Sequence, residues 1–240
     1  MDDSEIAIRC LDLTSLRGDE MDSDIDSLCA RASEHRVAAV VMYRDHVAAA
    51  RARLAGTHVQ VATVGGDFPS AGASLDERLF DLRRSVATHP DEVDVVINRR
   101  LVLEDQLDRL RDEVAMFREI GGPRPMKVIL ETAELETKRR IRAAALAACV
   151  GGADFVKSST GKSPAGGVTP DAAQAMTSAV RAFEAKTGNR VGIKVAGGIR
   201  TPEDAHVYVD LVRTELGEDW LTSGLFRIGS SSLLGEAPTT

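Results

Sequence analysis

The sequence predicts a single-domain α/β protein built as a closed (β/α)₈ barrel, a TIM barrel, over residues 1–240. Three observations favour this fold. Short β-type runs alternate with helix-type segments, eight such runs can be counted, and 240 residues is close to the usual size of one such barrel. An open, doubly wound parallel sheet is the structural alternative, because strand counts from sequence are fallible.

The predicted elements follow one another in a regular order. Strands are expected at residues 8–13, 37–42, 59–64, 92–97, 126–130, 155–157, 192–195 and 226–228. Helices are expected between them, for example at residues 75–87, 104–119, 136–148 and 170–186. Since helices separate successive strands, the strands should pair in parallel through crossover helices.

Several helix ends carry sequence signals. Thr169-Pro170-Asp171 and Thr201-Pro202-Glu203 each supply an N-cap hydroxyl, a proline suited to the first helical position and an acid for the first turn. Gly151-Gly152 and Gly188 follow apolar-periodic segments and are expected to end them. These signals support the alternation of strand and helix.

The composition argues against several classes of protein. The formal net charge is −7, and no basic stripe with interleaved aromatics is present, so a nucleic-acid partner is not expected. Cys10, Cys29 and Cys149 are too scattered for a disulfide framework or a metal site. No apolar run approaches the ~20 residues of a membrane span, and no apolar leader follows the acidic N-terminus. We therefore expect a cytoplasmic protein.

Charged residues inside strands that should be apolar mark the candidate site. Lys157 and Lys194 lie late in consecutive strands, which are neighbours about 4.8 Å apart in a barrel. Two inward ammonium groups at that spacing repel each other, and burial also favours the neutral amine, so one of the two lysines should have a depressed pKa. A neutral lysine is a nucleophile that can form a Schiff base with a carbonyl.

A structural interpretation of these lysines competes with the functional one. They could extend to the rim of the barrel or pair with Asp94 and Asp12, the acids of strands four and one. Two lysines in register, with acids on other strands, favour the functional interpretation. Lys127 begins strand five, towards the end of the barrel that usually serves stability, and we interpret it as structural or supporting.

The sequence also offers candidate donors for a phosphate group. Gly197-Gly198 follows strand seven and Gly229-Ser230-Ser231-Ser232 follows strand eight, the loops that form the recurring phosphate site of these barrels. Glycines let backbone N–H groups approach the oxygens, and serine hydroxyls add donors at a helix N-terminus. Lys162, in the loop after strand six, adds a positive charge.

In these segments the sequence resembles the deoxyribose-phosphate aldolase family. The matching residues span nearly the whole chain in the family's order and are 11–14, 91–96, 127–132, 153–162, 192–198 and 227–234. Residues 153–162 are the most specific, because they closely follow the family's Schiff-base strand. The resemblance implies a reversible aldol reaction, without metal or cofactor, between 2-deoxy-D-ribose 5-phosphate and D-glyceraldehyde 3-phosphate plus acetaldehyde.

The resemblance also implies a role for each candidate residue. Lys157 would be the Schiff-base lysine, Lys194 the lysine that lowers the pKa of the first, and Asp94 the acid that moves protons with Lys194 and a bound water. Asp12 and Thr14 would form a hydrogen-bonding pair near the substrate hydroxyls. The positions implied around the phosphate are Gly161, Lys162, Gly197, Gly198, Ser231 and Ser232.

The sequence departs from the family pattern at four places that bear on the substrate. Residues 40–44 lack the cysteine and proline that many relatives carry, and the turn at residues 64–69 is longer than usual. Asn98-Arg99-Arg100 is more basic, and residues 236–240 lack the tyrosine-bearing tail of some members. The residues for the chemistry are complete, whereas the pocket that selects the aldehyde is expected to differ.

Other interpretations stay open. A related Schiff-base aldolase could act on another short-chain sugar, phosphorylated or free. A phosphosugar isomerase or synthase on the same barrel would use Asp94 as a base and form no imine. A phosphosugar-binding or regulatory protein has no need of two inward lysines beside an acid. The expected partner is in each case a small phosphorylated sugar or aldehyde, and an exposed apolar helix face could serve a homodimer.

Overall fold

The computed structural model describes residues 2–235, in which eight parallel strands close into a barrel. The strands follow one another in sequence order, and the last pairs with the first, so the predicted (β/α)₈ barrel is confirmed and the open sheet is excluded. The strands are β1 Leu11–Thr14, β2 Ala39–Met42, β3 Gln60–Gly65, β4 Glu92–Val96, β5 Met126–Ile129, β6 Phe155–Lys157, β7 Gly192–Ala196 and β8 Phe226–Ser230. The departure noted at residues 236–240 lies outside the described residues.

Nine α-helices surround the barrel within the described residues. They are α1 Asp3–Arg9, α2 Asp22–His35, α3 Val47–Arg53, α4 Leu75–Val86, α5 Arg99–Leu103, α6 Leu107–Gly121, α7 Lys138–Val150, α8 Pro170–Thr187 and α9 Pro202–Leu216. Among them, none combines the length and the apolar character that a membrane crossing requires.

The predicted caps are present in the structure. Thr169 and Thr201 accept hydrogen bonds from the backbone N–H groups of Ala172 and Asp204, and a proline follows each as the first helical residue. Gly188 ends α8 in the left-handed conformation at φ 74°. Gly151 is the C-cap of α7.

Two predicted boundaries are wrong. Residues 8–10 precede the first strand, because residues 3–9 form α1, whose first turn is capped by the Asp2 carboxylate and whose Ile6 and Ala7 are buried. The helix predicted at residues 104–119 begins only at Leu107, as α6, because Asp105 before it adopts φ 52°, and the short helix α5 that precedes it was not predicted. Apolar periodicity continues through both junctions and so did not reveal them.

The strands present different chemistry to their two faces. Successive strand residues point to opposite faces, and the outward set, including Val93, Val95, Val128 and Ile193, belongs to the main apolar core between strands and helices. The inward set contains the charged residues that interrupt the apolar runs. The fold therefore gathers those charges inside the barrel.

Candidate active site

A cavity of about 540 Å³ opens where β1, β6, β7 and β8 end. Its lining includes the last residue of each of these four strands, namely Thr14, Lys157, Ala196 and Ser230. The carboxyl end of the strands is the catalytic face of such barrels. The cavity is therefore the candidate active site.

Seven charged side chains, which we call the charge cluster, fill the barrel below this cavity. Each belongs to a residue that is at most 5% exposed. Strand register brings them together, since Lys157 pairs with Lys194, Lys194 with Arg227, and Asp94 with Lys127. The members are Asp12, Glu92, Asp94, Lys127, Lys157, Lys194 and Arg227.

Asp94 lies between the two predicted lysines. Its Oδ2 accepts hydrogen bonds from Lys157 Nζ and Lys194 Nζ, each at 2.8 Å. Lys194 Nζ also lies 2.5 Å from Asp12 Oδ2. Lys157 and Lys194 are thus neighbours in register, as the strand positions predicted, and Asp94 bridges their amines. Contacts with Asp94 and Asp12 are also what the structural interpretation expected, so the environment of each amine has to distinguish the two interpretations.

The electrostatic environments of Lys157 and Lys127 differ. Burial, the main cause, and the positive charges of Lys194 and Lys127 outweigh Asp94 and lower the pKa of Lys157 to about 8. For Lys127 the carboxylates of Asp94, Glu92 and Asp12 outweigh burial, so its pKa is raised. Lys127 keeps its charge, in line with a supporting role.

The cluster's two aspartates keep their negative charge. Burial alone would raise the pKa of Asp94, but Lys127, Lys157 and Lys194 hold it well below its usual range. The pKa of Asp12 is lowered in the same way, with Lys194 and Arg227 outweighing burial.

Asp12 and Thr14 occupy different environments. Thr14 lines the cavity, and its hydroxyl donates to the backbone carbonyl of Asp12 at 2.9 Å. The Asp12 side chain is fully buried beneath the cavity and contacts Lys194 and Arg227. A direct contact between Asp12 and a substrate hydroxyl stays a prediction.

All six positions expected around a phosphate line the cavity. Gly161, Gly197 and Gly198 have φ between 74° and 90°, a region that glycine adopts without steric cost. The expected helix N-terminus after β8 is wrong for the described residues, since 231–235 contain a turn and no helix. The six positions are Gly161, Lys162, Gly197, Gly198, Ser231 and Ser232.

The β6 loop is held by a buried acid that the sequence did not single out. Glu131 follows β5 at φ 55°, is 1% exposed, and accepts hydrogen bonds through Oε2 from the N–H and the hydroxyl of Thr160. Thr160 Oγ1 in turn accepts from the N–H of Lys162 at 3.0 Å. Glu131 therefore orders the turn that carries Lys162.

Sequence reasoning also missed Glu92 and Arg227 as members of the cluster. Both interrupt apolar strands, and Glu92 alternates with Asp94 on one strand face, which was the available signal. Three more cations line the cavity without having been predicted, namely Arg17, Arg31 and Arg200.

The barrel mouth is apolar where β2 and β3 end, and the three departures from the family pattern that the structure describes lie around this part. Leu16, Val41, Ala62 and Val64 form a buried group against which Tyr43 and Phe68 pack. Beside it, Arg44 pairs with Asp81 at 2.5 Å, and Arg99 contacts Glu134 at 2.6 Å and the Ser70 carbonyl at 2.8 Å. Arg44 and Arg99, two of the residues that depart from the family pattern, thus form ion pairs between loops around this apolar wall.

Comparison with known proteins identifies similar chains. Residues 6–227 match a family described as DeoC/LacD family aldolase. The chain is 41% identical to a Bos taurus deoxyribose-phosphate aldolase and 40% identical to its Homo sapiens counterpart, over 96% of this chain and 78% of each relative.

Solved structures agree with this likeness. A crystal structure from Coccidioides immitis, described as a candidate deoxyribose-phosphate aldolase, is 29% identical with a TM-score of 0.82, covering 96% of this chain and 83% of that one. The Aeropyrum pernix deoxyribose phosphate aldolase is 24% identical with a TM-score of 0.74, covering 96% and 88%, and supports the fold alone.

Proposed function

The chain belongs to the DeoC/LacD aldolase family and is an aldolase, a lyase, and from that premise we propose that it cleaves and forms 2-deoxy-D-ribose 5-phosphate through a Schiff base on Lys157. One observation carries the assignment of the lysine. Of the seven charges in the cluster, all within the described residues, Lys157 is the one that lines the active-site cavity. Its lowered pKa makes it the readiest nucleophile at that surface.

The proposed cleavage begins with attack of neutral Lys157 on the substrate aldehyde carbon, C1. Loss of water gives a protonated imine, which draws the electrons of the C2–C3 bond as that bond breaks. The C3 hydroxyl proton leaves, C3 becomes the aldehyde of D-glyceraldehyde 3-phosphate, and C2 remains in an enamine on Lys157. Protonation of C2 and hydrolysis then release acetaldehyde and the free amine.

Asp94 and Lys194 are the groups proposed to move these protons. Both are hydrogen-bonded within the cluster that holds the Lys157 amine, and a water beside them would complete the path. General acid–base catalysis of this kind contributes about 10²–10⁴-fold in rate.

The phosphate is proposed to bind at the β6–β8 side of the cavity. There the glycine turns of residues 161 and 197–198 supply backbone N–H groups, Ser231 and Ser232 supply hydroxyls, and Lys162 supplies a charge. The acetaldehyde part would then lie nearer the apolar wall, on the opposite side of Lys157.

Reductive trapping tests the proposal. Acetaldehyde with borohydride should fix one irreducible adduct on Lys157, located by peptide mapping. Lys157→Ala should lose both the adduct and turnover while keeping its circular dichroism, whereas Lys138→Ala, an exposed lysine on α7, should retain both. An unlabelled protein at saturating substrate would refute the imine.

A panel of acceptor aldehydes separates the remaining alternatives. D-glyceraldehyde 3-phosphate should be preferred over D-glyceraldehyde, and the preference should appear as a lower KM for the phosphorylated aldehyde. Preference for the free aldehyde would indicate another short-chain sugar. An isomerase or synthase would form no carbon–carbon bond with acetaldehyde, and a binding protein would turn over none of the panel.

We propose a cytoplasmic location, supported by three cysteines that are buried and free in the structure, as suits a reducing compartment. Homodimer formation stays a prediction. Phe80 and Met116 are exposed apolar residues of α4 and α6, the neighbouring helices where such a contact would be sought.

A further inference from the structure

The charge cluster is unbalanced. It contains three carboxylates and four cationic side chains, and β2 and β3 add no charge to it. Other charged groups lie above it. The carboxylate of Glu131 is hydrogen-bonded to Thr160, and Arg17, Arg31, Lys162 and Arg200 line the cavity. A buried cluster in which every group is ionised would therefore carry one surplus positive charge.

The contacts show which cation is held least. Arg227 forms a two-pronged pair with Glu92, at 2.7 and 3.1 Å, and also contacts Asp12 at 2.5 Å. Lys127 contacts Glu92 at 2.5 Å, Asp94 at 3.0 Å and Asp12 at 3.6 Å.

Lys194 likewise contacts two carboxylates, Asp12 at 2.5 Å and Asp94 at 2.8 Å. Lys157 has a single carboxylate oxygen, Asp94 Oδ2, and shares it with Lys194. The other three cations thus have two or three carboxylate partners each, whereas Lys157 has only one, which it shares.

We propose that Glu92 and Arg227 are positioning residues that set the charge balance of the cluster, so that Lys157 is the amine that gives up its proton. Neither residue has an ion pair with the reacting amine, and both act on it through Lys127, Asp12 and Asp94. The inference deepens the proposed function, because it rests on Lys157 being the nucleophile.

The physical reason is the cost of unpaired charge in a dry interior. A buried charge without a partner is expensive, and the group shifts its pKa to lose the charge. The surplus proton should leave the most weakly paired cation, and Lys157 is also the member that lines the active-site cavity, where a proton can pass to water.

The sign of each substitution follows from this balance. Glu92→Gln leaves two carboxylates against four cations, so the pKa of Lys157 should fall by roughly one pH unit. Arg227→Gln leaves three carboxylates against three cations, so it should rise by a similar amount. Replacing both with glutamine restores a surplus of one, and the pKa should return close to that of the unsubstituted protein.

Amine labelling measures this pKa without substrate. The intact protein is treated with a trace acylating reagent across a pH series, and the modification of Lys157 is quantified by peptide mass. Arg227→Lys keeps the charge but loses the planar fork, so it should lower stability and leave the titration of Lys157 in place. A purely structural pair would change stability in every variant and shift the titration in none, which would overturn the proposal.

A second variant guards against failure to fold. Lys127→Met removes the same charge as Arg227→Gln, and an unchanged or lowered pKa of Lys157 in it would equally refute the balance. The two levels of inference stay distinguishable. Shifted labelling without turnover would refute the aldolase chemistry alone, and turnover through Lys157 with unshifted labelling would refute the charge balance alone.

Discussion

At the scale of single residues, the proton affinity of one amine determines what the cavity can do. Burial first, and then Lys194 and Lys127, lower the pKa of Lys157 to about 8 against the opposing effect of Asp94. At pH 7 this raises the neutral fraction on the order of a hundredfold over an ordinary lysine. The rate of imine formation should therefore rise with pH up to that value.

Asp94 gives the first prediction, because it is placed for proton transfer and also holds the Lys157 ammonium. Asp94→Asn should lower kcat by about 10²–10⁴-fold. Borohydride trapping of acetaldehyde on Lys157 should persist, since loss of this carboxylate removes what raises the pKa of Lys157. Parallel measurement of turnover and trapping separates the two steps.

The matched control is Asp76→Asn, an exposed carboxylate of α4, which should change neither quantity. Normal turnover in Asp94→Asn would contradict the proton-transfer role. A folded variant that no longer traps acetaldehyde would instead show that Asp94 is needed for the imine itself.

Sequence reasoning at this scale reached part of the site. It placed Lys157, Lys194 and Asp94 together, because charges in apolar strands are conspicuous and β6 and β7 are consecutive. Strand positions alone left open which lysine has the depressed pKa, and only the family resemblance assigned it to Lys157. Which lysine has the depressed pKa depends on how many carboxylates each amine contacts. Glu92 supplies one such carboxylate and Arg227 competes for them, and the two residues are far apart in sequence.

At the scale of elements, the loop between β1 and α2 is held by one carboxylate. Glu20 accepts hydrogen bonds from the Ser15 hydroxyl at 2.8 Å and from the N–H groups of Arg17 and Gly18 at 2.6 and 2.9 Å. Partial burial would raise its pKa, but these bonds outweigh burial and lower it to about 2. The loop contributes Ser15, Leu16 and Arg17 to the cavity wall.

The second prediction concerns acid stability. Because the folded-state pKa of Glu20 is depressed, its stabilisation is present above the unfolded value of 4.5 and is lost as the pH falls towards 2. Glu20→Gln should therefore cost about 2 kcal/mol at pH 7 and less at pH 3. Urea unfolding at the two pH values measures the difference, and Glu34→Gln, exposed on α2, serves as the control. An equal loss of unfolding free energy at both pH values would contradict the depressed pKa of Glu20.

The third prediction concerns the contact between the β6 and β7 loops. A Cβ on Gly167 would lie 2.1 Å from the Gly197 carbonyl oxygen, and the N–H of Val168 donates to that same oxygen. Gly167→Ala must therefore displace the Gly197-Gly198 turn. We expect KM for the phosphorylated acceptor to rise about tenfold, the loss of one good hydrogen bond, with KM for the free aldehyde nearly unchanged.

The control for this change is Gly224→Ala, whose added Cβ would meet nothing closer than 3.9 Å. If the ratio of the two KM values does not change in Gly167→Ala, the turn is not part of the phosphate site.

At the scale of the whole molecule, closure of the barrel brings charged residues from separate strands together in one site. Cations and glycine turns after β6 and β7 and serines after β8 line the cavity, and Leu16 connects it to the apolar group of β2 and β3. Alternation of strands and helices was enough to predict this architecture. It was not enough to predict α1 or α5, because both depend on local backbone conformation within a continuous apolar pattern.

The last prediction concerns the ion pair that ties the loops after β3 and β4 to the outer helices. Arg78 of α4 and Glu113 of α6 form a two-pronged pair at 2.6 and 3.1 Å, with side chains 1% and 4% exposed. Arg78 also donates to the carbonyls of Gly66 and Val96. Because an unpaired guanidinium would remain buried, Glu113→Leu should cost about 3–5 kcal/mol in the free energy of unfolding.

A double-mutant cycle measured by urea unfolding tests whether the pair acts as a unit. Arg78→Met with Glu113→Leu should cost less than the sum of the single changes, since removing both partners leaves no orphaned charge. Asp108 and Arg111 provide the exposed comparison on α6, 91% and 42% exposed, with an expected coupling below about 0.5 kcal/mol. Equal coupling in the two cycles would mean that burial does not strengthen the Arg78–Glu113 pair, and that the other hydrogen bonds of these side chains hold the loops without it.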